Sequence, residues 1–385
     1  MALTLAELCL NAENDYGMML IAGEKGIDNI VQWVHYIEGG EVPRFLHGYE
    51  LVFTTGIAHQ DTDWLIQFAQ KLHKHGACGF VINLGPYVSN IPKELINYCN
   101  SVNFPLYTIP WETRIVDITY EFCHHIITDE KLSKGKAEMF IYAIDNPQQE
   151  STYKPILEKS GFVDGEAYLM SAVYLKINNP ERRENAERMA KYNIGRRLNA
   201  HTERHSIFEM DKLILVVCQG MRQNEFETEI KGQAEILKRT FNEDGVYIGI
   251  APYEKESSML RRAYKRVCDV IKLAESFNSE FMRYSDTGIY KLLMAVDDKS
   301  NLRDYYSECL GKLLEYDEKS GTDYTSTLRC YLENESSIAE VAKLTYVHRN
   351  TVNYKIKKIK EILNCELSQN EKLKLLLAFC IEKVL

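Results

Sequence analysis

The stretch SIAEVAKLTYVHRNTVNYKIKKIK, Ser337 to Lys360, decides how the C-terminal part of the chain folds. Ser337 followed three residues later by Glu340 fits a capping box, opening a short helix with Ile338, Val341 and Ala342 facing inward. That pattern breaks at Leu344 to Val347, and a second helix starts near His348. Two short helices joined by a turn of three or four residues make a helix-turn-helix. At about 100° per residue, Val352, Ile356 and Ile359 share one face of the second helix, predicted to pack on the preceding helices. Arg349, Asn350, Asn353, Lys357 and Lys360 fall within an arc of about 100° on a neighbouring face. Arginine pairs with guanine edges, asparagine with adenine edges, and lysine with phosphates. Residues nearest the helix N-terminus reach deepest into a major groove, which makes Arg349, Asn350 and Asn353 candidates for base contact. A bare amphipathic helical pair is the rival reading of the same spacing.

Charge supports the first reading. Between Ser336 and Lys360 there are six Lys or Arg and one acid, Glu340, so the segment carries +5. The chain as a whole carries −9, which leaves −14 on everything else. A small basic segment on an acidic body is an electrostatic footprint for phosphates, although a solvated helix face has the same composition.

Outward from this segment, the pattern divides the 385 residues into three regions. To about residue 125, strand-like runs (Glu50 to Thr54, Gly79 to Leu84, Pro105 to Ile109) alternate with helical spacing at Asp63 to His75 and Pro92 to Asn100. Strand, helix, strand at this spacing predicts βαβ units and a mainly parallel sheet. A short helical stretch, Arg114 to Ile127, then leads to a polar linker around Asp129 to Lys136. From about 150 to 300 the order is strand (Ala167 to Ile177), helix (Glu181 to Leu198), two strands (Ser206 to Met210 and Leu213 to Cys218) joined at Asp211-Lys212, helix (Asn224 to Phe241) and strand (Val246 to Ile250). This βαββαβ order is the split βαβ plan. A long helix, Glu254 to Phe277, follows. From 301 to 385 the chain reads as helical throughout, with a helix at Leu302 to Tyr316 and a compact cluster beginning at Tyr324.

Apolar residues make up 45% and charged residues 26%, the profile of an ordinary folded protein. No apolar run reaches about 18 residues, so no membrane partner is expected. Met1 to Leu10 has no Lys or Arg and contains Glu7, which argues against a signal peptide. Ten cysteines without a C-x-x-C pair suggest reduced, mostly buried thiols and a cytoplasmic location. His73 and His75, His124-His125, and His201 with His205 have no convergent Cys or carboxylate partner in the sequence. No metal and no cofactor is expected.

The sequence then resembles a known family. Thr327-Leu328, Tyr331-Leu332-Glu333-Asn334 and Val347-His348-Arg349-Asn350-Thr351-Val352 resemble the C-terminal domain of PucR-type regulators, whose helix-turn-helix is Fis-like. Tyr354-Lys355 stands where Tyr-Arg is expected, a mild departure bearing on phosphate geometry. VPRFLHGYELVFTTG, Val42 to Gly56, looks like the family's N-terminal sensory domain, and the middle region resembles its cyclase-like domain. The resemblance implies an α/β and α+β multidomain chain. Residues 1–125 form an α/β sensory domain, 126–150 a linker, 151–300 a degenerate GGDEF-like βαββαβ domain, and 301–385 an all-α helix-turn-helix domain. It implies a transcription regulator that binds promoter DNA as a homodimer or higher homo-oligomer and responds to a small-molecule effector, such as a purine breakdown product. The DNA-binding set is then Arg349, Asn350, Thr351, Asn353, Tyr354, Lys355, Lys357 and Lys360.

The likeness of the middle region to diguanylate cyclases raises an alternative, a nucleotide- or purine-metabolising enzyme with an incidental helix-turn-helix. Cyclase chemistry needs carboxylates holding Mg²⁺ against a triphosphate. Yet the first strand ends Leu175-Lys176-Ile177-Asn178-Asn179, with no acid. Phe208-Glu209-Met210-Asp211-Lys212 lacks the two glycines of the expected Gly-Gly-acid-Glu-Phe turn. A non-catalytic relay or dimerisation module is therefore predicted, with Asp211 as a turn residue.

Open α/β sheets bind ligands at the C-terminal ends of their strands. Here those ends are Thr54-Thr55-Gly56, Asn83-Leu84-Gly85 and Ile109-Pro110-Trp111. The candidate effector-binding set is Thr54, Thr55, Gly56, Asn83, Gly85, Pro110 and Trp111, with hydroxyl and amide groups, close-approach glycines and a stacking face. Tight turns and a core tryptophan are the alternative. Glu38 and Arg44 flank a glycine-rich turn and read better as a structural ion pair than as part of that pocket.

Overall fold

The computed structural model describes residues 3–38, 46–59, 63–240 and 245–385. Two compact units are present, one of residues 1–168, 179–229 and 255–260, the other of residues 169–178, 230–254 and 261–385.

The first unit opens with two short helices, α1 (Leu5–Leu8) and α2 (Ala12–Tyr16), and an edge strand β1 (Met19–Ala22). Strands β2 (Trp33–Tyr36) and β3 (Glu50–Thr54) are followed by α3 (Trp64–Lys74), β4 (Gly79–Leu84), α4 (Lys93–Val102) and β5 (Leu106–Pro110). The sheet order is β1-β5-β4-β3-β2, parallel from β2 to β5, with β1 antiparallel to β5. The expected mainly parallel sheet is present; β1 and β2 are strands that the sequence pattern did not single out.

Why the central strands are so apolar follows from their two covered faces. Side chains alternate, so Leu51, Phe53 and Val81 point to one face with Leu5, Ile118 and Phe122. Val52, Phe80 and Ile82 point to the other, with Leu65, Phe68, Leu72 and Leu95.

The polar linker expected at Asp129 to Lys136 is helical instead. Helix α5 runs from Ile115 to Asp145 without interruption. Polarity was the misleading cue: the stretch holds no proline, Gly135 is its only glycine, and Lys134 pairs with Glu130 one turn earlier at 2.6 Å. The helix packs Ile118, Phe122 and Ile126 on the first sheet. Phe140 then lies 4.8 Å from Phe162, edge to face, and 6.0 Å from Phe208, stacked. Helix α6 (Glu150–Lys159) follows.

The middle elements run β6 (Leu169–Lys176), α7 (Pro180–Asn199), β7 (His205–Met210), β8 (Leu213–Cys218), α8 (Gln223–Thr240), β9 (Gly245–Ile250), α9 (Leu260–Ser276) and β10 (Phe281–Arg283). The βαββαβ succession read from the sequence is present, in a five-stranded sheet ordered β10-β9-β6-β8-β7. Strands β6 and β9 are antiparallel, β7 and β8 form a hairpin, and β10 adds in parallel to β9.

The C-terminal helices are α10 (Tyr290–Met294), α11 (Lys299–Ser320), α12 (Tyr324–Glu333), α13 (Ile338–Leu344), α14 (Arg349–Leu363) and α15 (Gln369–Glu382). Leu310, Leu313, Leu328, Val341, Val352, Ile356, Ile359 and Phe379 share one core.

All ten cysteines are free thiols, three of them buried (Cys78, Cys99, Cys218) and seven half-buried, fewer buried than the sequence suggested. Burial pushes the Cys9, Cys99 and Cys218 thiols up to about 12, which leaves them unreactive. Among the described residues no helix is long and apolar enough to cross a membrane.

Candidate nucleic-acid interface and strand-end cluster

Helices α13 and α14 are joined by the turn Thr345 to His348. Ser337 caps α13, its hydroxyl accepting from the Glu340 amide at 3.3 Å. The reciprocal half of the capping box is not formed; the Glu340 carboxylate lies 3.5 Å from Lys343 instead. In the turn, Tyr346 has φ of 56° and is 96% exposed. His348 caps α14, with Nδ1 accepting from the Asn350 amide at 3.2 Å. Val352, Ile356 and Ile359 are buried, as their spacing requires.

This leaves Arg349, Asn350, Thr351, Asn353, Tyr354 and Lys357 exposed on α14. Lys355 is different. Its ammonium lies 2.5 Å from the Asp323 carboxylate and 3.5 Å from the Thr327 hydroxyl, tying α14 to the start of α12. Lys360 is half-buried and lies 3.3 Å from Glu366. Asp317 anchors the same end of α12, accepting from the amides of Tyr324 (2.9 Å) and Thr325 (2.7 Å) and from the Thr322 hydroxyl (2.6 Å). Burial pushes its carboxyl up, but these hydrogen bonds outweigh burial and hold it below the usual aspartate value.

At the strand ends of the first sheet, the polar groups are engaged from within. Glu38 accepts from the amides of Thr55 (2.7 Å) and Gly56 (2.9 Å), from the Thr54 hydroxyl at 3.1 Å, and from the hydroxyls of Thr55 and Tyr36. Burial pushes the Glu38 carboxyl up, and the hydrogen bonds from Thr55, Tyr36 and Thr54 outweigh it, so its pKa is lowered. Asn83 is buried and its amide donates to the Pro110 carbonyl at 2.8 Å. A Cβ on Gly85 would come within 2.2 Å of the Trp111 ring, so glycine is needed for that close approach. Trp111 is 43% exposed and meets Tyr87 edge to face at 5.8 Å. Sequence reading grouped Thr54, Thr55, Gly56, Asn83, Gly85, Pro110 and Trp111 and set Glu38 apart as a structural ion-pair residue, whereas Glu38 bonds Thr54, Thr55 and Gly56 directly and Tyr36 joins it at Thr55. Arg44 and Val42 to Phe45 lie outside the described residues.

In the β7–β8 hairpin, Asp211 and Lys212 have φ of 50° and 65°, the left-handed pair of a tight hairpin turn. Asn179 caps α7, its side chain accepting from the Arg182 amide at 3.0 Å. Glu209 pairs with Lys191. Three of the histidines have local partners: His73 with the Tyr98 hydroxyl (3.2 Å), His75 with the Lys71 carbonyl (2.8 Å), and His201 with Glu229 (3.4 Å).

A helical core that holds a short capped helix against a second one, with basic and amide side chains outward, defines a helix-turn-helix protein. Residues 324–381 match the PucR C-terminal helix-turn-helix domain, and residues 9–126 match the purine catabolism regulatory protein-like family (PucR). The chain thus carries the N-terminal and the C-terminal domains of PucR-type regulators. It is similar to three regulators of Bacillus subtilis (strain 168). The proline-responsive transcriptional activator PutR is 34% identical over 32% of this chain and 31% of its own length. The DNA-binding transcriptional activator AdeR is 29% identical over 34% and 32% respectively. The purine catabolism regulatory protein is 31% identical over 32% and 23%. The chain spans about a third or less of the length of these curated relatives.

Proposed function

We propose that the chain is a sequence-specific DNA-binding transcription regulator that responds to a small metabolite. The observation that carries this reading is the exposed arc of Arg349, Asn350, Asn353 and Lys357 on α14, above a face closed by Val352, Ile356 and Ile359. Polar side chains held out on a packed short helix are positioned for groove contacts, and the first turn of that helix favours phosphate. Two of the relatives are transcriptional activators by name, one of them proline-responsive, and the third is a regulatory protein of purine catabolism. Two copies of the recognition helix would read a two-fold operator, so the proposed working unit is a homodimer or higher homo-oligomer, in the cytoplasm.

In this reading, residues 1–125 sense the effector, 126–150 connect, 151–300 form a GGDEF-like relay without catalysis, and 301–385 bind promoter DNA. Against cyclase chemistry stand the lack of an acid at the end of β6 and the turn Asp211-Lys212 in place of two glycines. A polar effector at Thr54, Thr55, Gly56, Asn83, Gly85, Pro110 and Trp111 would have to displace Glu38 from the first three.

The test is fluorescence anisotropy of the full-length protein on promoter fragments selected from genomic DNA. Specific binding that Arg349→Ala weakens is expected; no sequence-specific binding under any effector condition overturns the reading.

A further inference from the structure

Within the first unit, a cavity of about 760 Å³ lies among the N-terminal segment, α5, one face of α7 and the start of β7. Its α7 wall includes Arg188, Tyr192, Gly195 and Asn199, spaced three and four residues apart and therefore on one helix face, with Lys191 and Arg196 at the sides. Three polar atoms of the lining residues are buried with no hydrogen-bond partner among the described residues: Nε of Arg188, Oδ1 of Asn199 and Nε2 of His205. Buried polar atoms are normally satisfied, so three orphans around one cavity call for a partner there.

The chemistry of the three atoms defines that partner. His205 is 2% exposed, and its Nδ1 lies 3.1 Å from the Thr202 carbonyl. A carbonyl only accepts, so Nδ1 carries the hydrogen and Nε2 is a bare acceptor. Burial pushes the imidazole down to about 4, which keeps it neutral at physiological pH. Asn199 Oδ1 is a second acceptor, and Arg188 Nε is a donor. Gly195 keeps the wall open: a Cβ there would meet only Ile207 Cδ1, at 3.5 Å, although glycine is a poor residue for a helix interior.

We propose that this cavity binds a small polar metabolite that offers N–H donors to His205 and Asn199 and a carboxylate or carbonyl oxygen to Arg188. Its regulatory meaning rests on the ligand-responsive reading above, but the site is separate from the strand ends, whose polar groups Glu38 and Pro110 engage. Tyr192, on the same wall, donates to the Asp28 carbonyl, so a bound metabolite sits beside a direct link between α7 and the N-terminal segment.

Calorimetric titration of the full-length protein against two panels tests this. One panel is the free L-amino acids, which present an ammonium and a carboxylate; the other is acetamide, hydantoin, uracil and hypoxanthine, which present neutral N–H and carbonyl groups. At least one compound is expected to bind, with Asn199→Leu and Arg188→Met weakening it about tenfold or more and Trp111→Ala leaving it unchanged. Gly195→Leu fills the cavity while improving helix propensity, and should abolish binding without lowering Tm. Binding by the first panel alone assigns a carboxylate to Arg188, and binding by the second a carbonyl. The proposal is overturned if neither panel binds, or if bound compounds ignore Asn199→Leu, Arg188→Met and Gly195→Leu. A parallel DNA titration separates the readings: intact sequence-specific DNA binding with no metabolite binding removes the cavity alone, and the reverse removes the DNA-binding function alone.

Discussion

Helix α14 and the strand-end cluster both carry polar groups and differ in what those groups have left to give. On α14, Arg349, Asn350, Asn353 and Lys357 stand exposed above a closed apolar face. At the ends of β3, β4 and β5, the hydroxyl, amide and backbone donors face inward onto Glu38 and the Pro110 carbonyl. A polar residue at the end of an element is therefore a site only when its hydrogen-bonding capacity is unspent, since breaking a buried hydrogen bond offsets what a ligand would supply.

The largest effect that would sharpen the contrast is in the packed face of α14. Ile359→Ala should cost about 2–5 kcal/mol in the C-terminal helices, read by chemical denaturation, with DNA binding lost alongside. A loss of DNA affinity without a loss of stability would break the view that this face only supports the exposed one.

Glu38→Ala comes next. It leaves several donors at the strand ends without their acceptor and should cost about 1.5–3 kcal/mol, lowering the Tm of the first unit. The pKa of Glu38 is lowered on folding, so its contribution is complete above the ordinary glutamate value and disappears as pH falls through the depressed one. Glu38→Gln should accordingly flatten the acid limb of stability against pH. An acid limb identical to wild type would show that Glu38 does not hold the strand ends.

Arg349→Ala should reduce specific DNA affinity by on the order of 1–3 kcal/mol and leave the melting temperature unchanged. Anisotropy on the selected operator reads the first and thermal melting the second; a mutant that melts early but binds normally would reverse the assignment.

The smallest effect separates two lysines two residues apart. Lys357→Ala should lower the slope of log affinity against log salt by about 0.9, the share of one phosphate contact. Lys355→Ala should leave that slope nearly unchanged and cost at most about 1 kcal/mol of stability, because its ammonium is held by Asp323. Equal slopes for the two mutants would show that Lys355 releases Asp323 when DNA arrives.

Several features were legible without tertiary structure because they are local. The helix-turn-helix follows from Ser337, the break after Leu344 and the spacing of Val352, Ile356 and Ile359. Strand β3 follows from an unbroken apolar run, and the β7–β8 turn from Asp211-Lys212. Short β1 and β2 were missed because four residues carry too little pattern, and the second half of α5 because polarity was taken for the end of a helix. Nothing in the local pattern could reveal that Glu38 reaches Thr54, Thr55 and Gly56, or that His205, Asn199 and Arg188 border one cavity.

The sequence by itself thus determined the type of the longer, strongly patterned elements, the buried face of α14 and the charge carried by the C-terminal segment, because periodicity and composition act over a few residues. Only the tertiary structure decided which polar atoms were already satisfied. Hydrogen-bond partners such as Glu38 and Thr55, 17 residues apart, are chosen by packing, and local spacing carries no trace of them.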